Sequence, residues 1–529
     1  MRPVEALLRV LRDEGVTKVF GNPGTTELPF LDALVDAPDI EYVLGAHEGS
    51  LVAMADGYAR ATRRPAFVSL HVAAGLANGL VGLLNASRSR TPMVVTAGQQ
   101  DRRHLVQDPM LSGDLVGLAA AAVKHTFDVR HAPDLPLLLR RAFRLAVQPP
   151  AGPVFLSIPM DLLAEDTDVE LPARSVVWPP GPASGVADAV AALGAARDPV
   201  IVAGDGVGRA NAVAELVAVA EALDAPVFHQ PLFDGIDFPT THPLYAGMLP
   251  GTNAGIRNEL AAHDVVFIVG CHAFMPHHYT PGPAIPPGTR VVQLDDDPAE
   301  PGRNFAVSPG LVGDIRSTLA ELAGRLPRRP GGRVVRQPDV DVHYGSVPLE
   351  PLVAAHAVAS GLPEDAVVVE EAITTGVLLR RVLRQSRPGS YVHTIGGGLG
   401  SGIGAAVGTR MGEPTRPVVA VLGDGCALFG LHGLWSAARY DVAVTFVVMR
   451  NGEYRTLKET LDSWDSRATR AGRYPGLDLG ELDFTKAGDF FGIPSLTVGS
   501  AAELRDVVAK AGGRTGPLLV DVPILGHGS

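Results

Sequence analysis

The run VVAVLGDGCALFG, Val418 to Gly430, decides how this chain is read. Its opening apolar stretch has the form of a strand buried on both faces of a parallel sheet. The stretch stops on Gly423-Asp424-Gly425 and gives way to residues of helical period, so a carboxylate stands between two glycines at a strand's carboxyl end. Loops at the carboxyl ends of parallel strands form the ligand crevice. A helix over about 428–439 and a strand VTFVVM running to Asn451 follow, and one right-handed crossover sets the two strand ends side by side. Asp424 and Asn451 then face one point. Together with a backbone carbonyl just beyond, that of Glu453, they make a hard oxygen set suited to Mg2+, which draws its other ligands from phosphate and water. Gly425 lets a phosphate approach the backbone, and the helix start beyond it offers amide hydrogens. A lone Gly-Asp-Gly reads better as a plain turn. Its pairing with Asn-Gly one crossover later favours the metal reading.

Outward from this motif the same alternation of short apolar runs and helical periods fills the chain. The first segment carries VTKVF, EYVLGA, AFVSLH and MVVTAG, with helices near 28–34, 49–62 and 76–86 between them. The middle segment carries PVIVAG, APVFHQ, DVVFIVG and TRVVQLD, and the last carries AVVVEE, SYVHTI, VVAVLGDG, TFVVMRN and PLLVDVP. The Pro-rich stretches DTDVELPARSVVWPPGPASG and RLPRRPGGRVVRQPDVD read as linkers. The expectation is an α/β protein of three doubly wound parallel-sheet domains over 1–165, 186–328 and 348–529. The GDGVG of Gly204 to Gly208 follows a strand as a dinucleotide loop would, yet a tight turn in a nucleotide-free Rossmann-like domain is the better reading of so short a signal.

Bulk properties agree with several large cores. The 529 residues are 46% hydrophobic and 19% charged, which excludes a disordered chain. Acidic residues outnumber basic ones, 57 to 45, and the net charge of -12 argues against nucleic acid or an anionic membrane as partner. The amino-terminal MRPVEALLRVLRDEG is an amphipathic helix without the features of a signal peptide, and no apolar run suits a membrane span, so the cytoplasm is expected. Cys271 and Cys426 lie far apart, without metal-ligand spacing.

The Gly-Asp-Gly and Asn pairing resembles the diphosphate and Mg2+ motif of thiamine-diphosphate enzymes, with Arg450 where the usual Asn-Asn close has its first Asn. With that motif in register, FGNPGTTELPF, AHEGS, SLHVAAG, TAGQQ, FMPHHYTPG, GGGLG and YPGLD resemble the pyruvate-oxidase-like group, benzoylformate decarboxylases in particular. The resemblance spans nearly all of the chain. It implies thiamine diphosphate and Mg2+ as cofactors and a site shared between two copies of the chain, hence a homodimer at least and a homotetramer as the usual state. It also implies roles residue by residue. Glu48 would protonate the cofactor's pyrimidine nitrogen, although as a residue it reads equally as an acid complementing a helix start. Leu399 would lie beneath the cofactor, and Thr374, Gly425, Cys426, Ala427 and Tyr454 would contact it; Asp424, Asn451 and Glu453 would hold the metal. His71 and His277 would move protons at the reacting carbon. Thr25 would hold the substrate carboxylate, its plainer role being a helix cap.

Met110, Leu111, Thr456, Leu457 and Thr460 would line the substrate pocket. Thr460 stands where the resemblance has an aromatic, so the pocket is larger and more polar than one shaped for benzoylformate. The activity implied is non-oxidative decarboxylation of a benzoylformate-like 2-oxo acid to an aldehyde and carbon dioxide. A carboligase of the acetolactate synthase kind is the alternative, and a non-catalytic scaffold subunit stands behind it.

Overall fold

A computed structural model describes residues 1–178, 180–336 and 340–528. Pro179 and residues 337–339, inside the two stretches read as linkers, and Ser529 at the end of the last segment lie outside the described residues. Contacts divide the chain into two compact units: Met1–Val176 with Val342–Leu379 and Thr394–Ser529, and Val177–Asp341 with Arg380–His393.

Three six-stranded sheets organise the chain. The first comprises β1 (Lys18–Gly21), β2 (Glu41–Leu44), β3 (Ala66–Leu70), β4 (Met93–Gln99), β5 (His125–Asp128) and β6 (Pro153–Pro159), in the order β2-β1-β3-β4-β6-β5. The second comprises β7 (Pro199–Ala203), β8 (Val227–His229), β9 (Tyr245–Met248), β10 (Val265–Val269), β11 (Arg290–Asp295) and β12 (Gly310–Val312), in the order β12-β11-β10-β7-β8-β9. The third comprises β13 (Val367–Glu371), β14 (Tyr391–His393), β15 (Val418–Gly423), β16 (Val444–Arg450), β17 (Ser495–Thr497) and β18 (Leu518–Pro523), in the order β14-β13-β15-β16-β18-β17. The first and third sheets thus share one plan. Neighbouring strands pair in parallel, β15 with β16 among them, as one crossover requires.

Central strands were readable because both of their faces are buried. Val418, Val419, Ala420, Val421 and Leu422 are all at most 1% exposed. Each buried Val or Leu contributes about 1.5–3 kcal/mol. The strands that the alternation misses are mainly edges, β5, β9, β12 and β17, whose partly solvated residues need no continuous apolar run. β6 is internal, but prolines at both its ends disguise it as loop. The helix expected over 428–439 is two helices, Asp424–Gly430 and His432–Arg439, so Asp424 is a first helical residue and the strand ends at Gly423.

One helix crossing bears directly on the candidate site. Helices Glu48–Thr62 and Ser401–Gly412 meet backbone to backbone. A Cβ added at Gly57 would lie 2.1 Å from Ala405 O, one at Gly404 2.4 Å from Ser50 O, and one at Gly408 1.8 Å from Met54 O. Only glycine permits so close a seam. It carries Glu48, the first residue of its helix, at a set height against the third segment.

Candidate active site

Asp424, 4% exposed, sits where β15 hands over to its helix. Its Oδ1 accepts the Gly425 amide at 2.8 Å, and its Oδ2 accepts the amides of Asn451 at 2.9 Å and Gly452 at 2.7 Å. The crossover therefore does bring Asp424 and Asn451 together. Burial pushes the Asp424 carboxyl above its ordinary value, against the opposing pull of the three amides. A cation bound at its free lone pairs would reverse that balance. Asn451 Oδ1 accepts the Glu453 amide at 3.1 Å and keeps a second lone pair. The bridge between Glu453 and Asp478 uses neighbouring groups, Tyr454 N to Leu477 O and Leu479 N to Gly452 O, and so does not draw on the Glu453 carbonyl.

One carboxylate, one amide oxygen and one carbonyl fit Mg2+, which retains few protein ligands. Among the described residues no cluster of three or more His, Cys, Asp or Glu could hold a metal by itself. A Cβ on Gly425 would lie 2.7 Å from the Tyr454 ring, so the bare backbone there is obligatory. Cys426 and Ala427 follow it, buried in the same turn.

Arg450, in place of an amide, is committed elsewhere. Its guanidinium grips the buried Asp521 on β18 through Nε at 2.8 Å and a second nitrogen at 2.9 Å, a sheet-stabilising fork beside the Asn451 loop.

Glu48 is 7% exposed, between two amide donors: Asn22 Nδ2 at 3.3 Å on Oε1 and Asn78 Nδ2 at 3.1 Å on Oε2. Gly75, where a Cβ would lie 3.0 Å from Oε1, gives the carboxylate its space. His71 immediately precedes the helix Val72–Arg88, without a side-chain cap bond to it, and the helix starts earlier than its periodicity indicated. Its Nδ1 lies 2.9 Å from Oε2 of Glu27 and 3.1 Å from Thr26 Oγ1. Glu27 is 4% exposed and also accepts the amides of Gly24 and Gly98 and the Thr26 hydroxyl. With Nδ1 donating to this carboxylate, Nε2 is the ring nitrogen left for exchange. The next residue, Val72, is fully buried with φ of 42°. That is a strained conformation for a β-branched side chain, of the kind that clusters at functional sites.

Glu27 and Thr26 were not among the residues picked from sequence. The neighbouring Thr25 is exposed, and the helix Leu28–Leu34 starts without a side-chain cap, so Thr25 does not act as one.

Leu399, half-buried, lies on a loop pressed against the helix Val72–Arg88. Asn85, 2% exposed, clamps that loop: its Nδ2 donates to Gly398 O at 2.8 Å and to Ser401 Oγ at 2.7 Å, and its Oδ1 accepts the Gly398 amide at 3.1 Å. Glu371, at the end of β13, accepts the amides of Ser401 at 3.0 Å and Gly402 at 2.9 Å. Burial pushes its carboxyl up to about 7.

Of the residues expected to line the substrate pocket, Thr456 meets Thr374, hydroxyl to hydroxyl at 2.8 Å, and Thr460 donates to Thr456 O at 2.8 Å. Their helix, Arg455–Ser463, is braced by Lys458 on Glu453 and Asp478, and by Asp462 on Tyr474 and His527. Those donors hold Asp462 down at about 2. Leu457, Met110 and Leu111 are exposed. The two glutamines of TAGQQ hold the Met110 loop, Gln100 through Met110 O at 3.0 Å and Gln99 through Gly113 O at 2.9 Å.

His277 belongs to the second unit, exposed, with its Nδ1 2.9 Å from His278 Nε2 and its amide on Gly251 O at 2.8 Å. In the same unit the GDGVG backbone is tightly packed: a Cβ at Gly204 would lie 2.5 Å from Cys271 Cα and one at Gly206 2.6 Å from Gly270 Cα, so the loop after β10 lies directly against these glycines. Cys271 and Cys426 are both free and buried.

Two related sheets, each carrying a buried carboxylate near its crevice, are the frame of a thiamine-diphosphate enzyme. Models of the thiamine pyrophosphate enzyme N-terminal TPP-binding, central and C-terminal TPP-binding domains match residues 1–128, 186–322 and 374–522. The chain belongs to the thiamine pyrophosphate enzymes. Within them it is a homologue of benzoylformate decarboxylase: it is 38% identical over 525 residues to that enzyme from Pseudomonas aeruginosa, covering 98% of both chains. Its fold superposes with a TM-score of 0.92 on the Rhodococcus jostii RHA1 thiamine diphosphate-dependent 4-hydroxybenzoylformate decarboxylase, at 34% identity and 100% coverage of both. The benzoylformate decarboxylase from Polynucleobacter necessarius gives 0.93, at 32% identity and 99% coverage of both. The acetolactate synthase large subunit of Haemophilus influenzae is 27% identical, over 96% of this chain and 91% of that protein.

Proposed function

We propose that this enzyme binds thiamine diphosphate with Mg2+ and decarboxylates a 2-oxo acid of the benzoylformate kind to an aldehyde and carbon dioxide. The observation that carries the reading is the buried Asp424 carboxylate, tied to the Asn451 loop and flanked by the bare backbone of Gly425. Asp424, Asn451 Oδ1 and the Glu453 carbonyl would hold the metal, with Thr374, Cys426, Ala427 and Tyr454 around the diphosphate and Leu399 beneath the rings. Bound thiamine diphosphate supplies a nucleophilic carbon and an acceptor for the electrons that the departing carbon dioxide leaves behind.

The chain's own groups handle the protons. Glu48, fixed by Asn22 and Asn78, would hold a proton for the pyrimidine nitrogen of the bound cofactor. His71 offers Nε2 for proton transfer because Glu27 occupies Nδ1. His277 is the second proton carrier, and Thr25 holds the substrate carboxylate. Thr456, Thr460, Leu457, Met110 and Leu111 contact the rest of the substrate, and the hydroxyls favour a substrate with a polar substituent over benzoylformate itself.

The domain limits proposed are 1–165, 186–328 and 348–529. The working form is a homodimer or a homotetramer in the cytoplasm. Among the described residues no helix is long and apolar enough to cross a membrane. The likeness to acetolactate synthase keeps carboligation as the second reading.

The test is Asp424→Ala. It should keep the fold and lose thiamine diphosphate and Mg2+ binding; normal binding would overturn the metal assignment. For the parent, carbon dioxide release from a panel of aryl, alkyl and polar 2-oxo acids should yield aldehydes. Ligated products from pyruvate would favour the second reading.

A further inference from the structure

The third sheet has a second concavity at the end opposite Asp424. An open cavity of about 710 Å³ lies among Asp441, Pro494, Lys510, Arg514, Gly516 and Pro517. These residues precede β16, β17 and β18, whereas Asn451 follows β16. The seven residues of β16 span about 20 Å, so the cavity is separate from the cofactor loops.

Two cations on its wall lack partners. Arg514 Nε is buried without a hydrogen bond, and among the described residues neither the Arg514 guanidinium nor the Lys510 ammonium meets a carboxylate. Burial draws the Arg514 pKa down, and no acid opposes it. Asp441, the acid lining the cavity, pairs with neither cation, and its Oδ1 lies 2.5 Å from where a Gly516 Cβ would be. The amides of Thr515 and Gly516 likewise have no acceptor within the described chain. In a chain of net charge -12, a half-buried guanidinium with one nitrogen closed off from solvent would ordinarily find a carboxylate.

We propose that this cavity is a second ligand site, selective for the phosphate group of a small molecule. A guanidinium fork, an ammonium and two adjacent amides match the oxygens of a phosphate. Pro494 and Pro517 give an apolar wall for whatever the phosphate is attached to. The volume is that of a small-molecule pocket.

The experiment is calorimetric titration of the enzyme presaturated with thiamine diphosphate and Mg2+, using inorganic phosphate and, separately, adenosine monophosphate. Presaturation keeps either probe from the cofactor's own phosphate site. Saturable binding is expected, weakened about tenfold or more in Arg514→Met and in Lys510→Met, each of which removes a charge-assisted contact. Tighter binding of the nucleotide would assign the ligand to phosphorylated organic molecules, and equal binding to free phosphate. Lys510 is exposed, so its variant tests the site even if Arg514→Met fails to fold. The proposal is overturned if neither probe binds the parent, if Lys510→Met binds like the parent, or if either variant shifts the oligomeric mass in light scattering, which would make the cations an inter-chain contact.

Discussion

Gly408→Ala is a single-methyl test of how the Glu48 helix is held. The added Cβ would sit 1.8 Å from Met54 O and 2.6 Å from Met54 C, where ordinary contact begins near 3.4 Å. The helices Glu48–Thr62 and Ser401–Gly412 must therefore part by roughly 1.5 Å at that point. Sliding along the seam brings no relief, because Gly404 against Ser50 O, at 2.4 Å, and Gly57 against Ala405 O, at 2.1 Å, are also far inside ordinary contact. Overpacking of this kind costs about 1–3 kcal/mol of stability. Glu48 opens the displaced helix; if it acts as proposed, misplacing it by about 1 Å should cost on the order of 100-fold in rate. The assays are the denaturant midpoint and steady-state carbon dioxide release with cofactor in excess. A matched control is Gly324→Ala in the helix Ile315–Arg325, where an added Cβ meets nothing within 4 Å. It should stabilise by about 0.5–1 kcal/mol through lost chain entropy. Parent-like turnover and stability in Gly408→Ala would refute the claim that this seam sets the position of Glu48.

Three further outcomes are expected. Glu27→Gln sets an amide against the His71 Nδ1 donor and so favours the wrong ring tautomer; turnover should fall about 10²- to 10⁴-fold with cofactor affinity kept, and unchanged turnover would make Glu27 purely structural. For Glu371 the folded pKa, about 7, lies above the ordinary carboxyl value of 4.5, so its contribution to stability is full below that value and lost as pH rises through about 7. Between pH 5 and 8 the cofactor-free parent should accordingly lose about 2–3 kcal/mol relative to Glu371→Gln, read as a flatter pH dependence of the variant's urea midpoint; parallel slopes would contradict it. Thr460→Phe should swing preference toward benzoylformate by about fivefold, as burial of a ring worth on the order of 1 kcal/mol predicts, and an unmoved aryl-to-polar ratio would take residue 460 out of the pocket.

Parallel sheets, strand ends and the Asp424–Asn451 pairing were readable in the linear chain because each is a local matter. Runs buried on both faces announce themselves by composition, glycines mark where backbone must turn or approach, and a single crossover ties two strand ends without knowledge of the rest of the sheet. The family resemblance extended that reading to Glu48, His71, Thr456 and Thr460, residue by residue, as expectations. It could not extend to edge strands, whose half-solvated sequences resemble loops.

Partnership between distant residues belongs to tertiary structure alone. Glu27 and His71 are 44 residues apart and meet only because β1 and β3 are neighbours, with β2 on the far side of β1. Asn85 holds Gly398 across 313 residues, and the Arg450 fork finds Asp521 because β18 lies next to β16. In the sequence Glu27 is one acid among 57 acidic residues, and Gly57, Gly404 and Gly408 are three glycines among 60. Local propensity is the same for each of them whether it is buried or solvated. What singles them out is strand order and helix crossing, long-range contacts that bury one carboxylate against one imidazole and press two backbones to the distance only glycine allows.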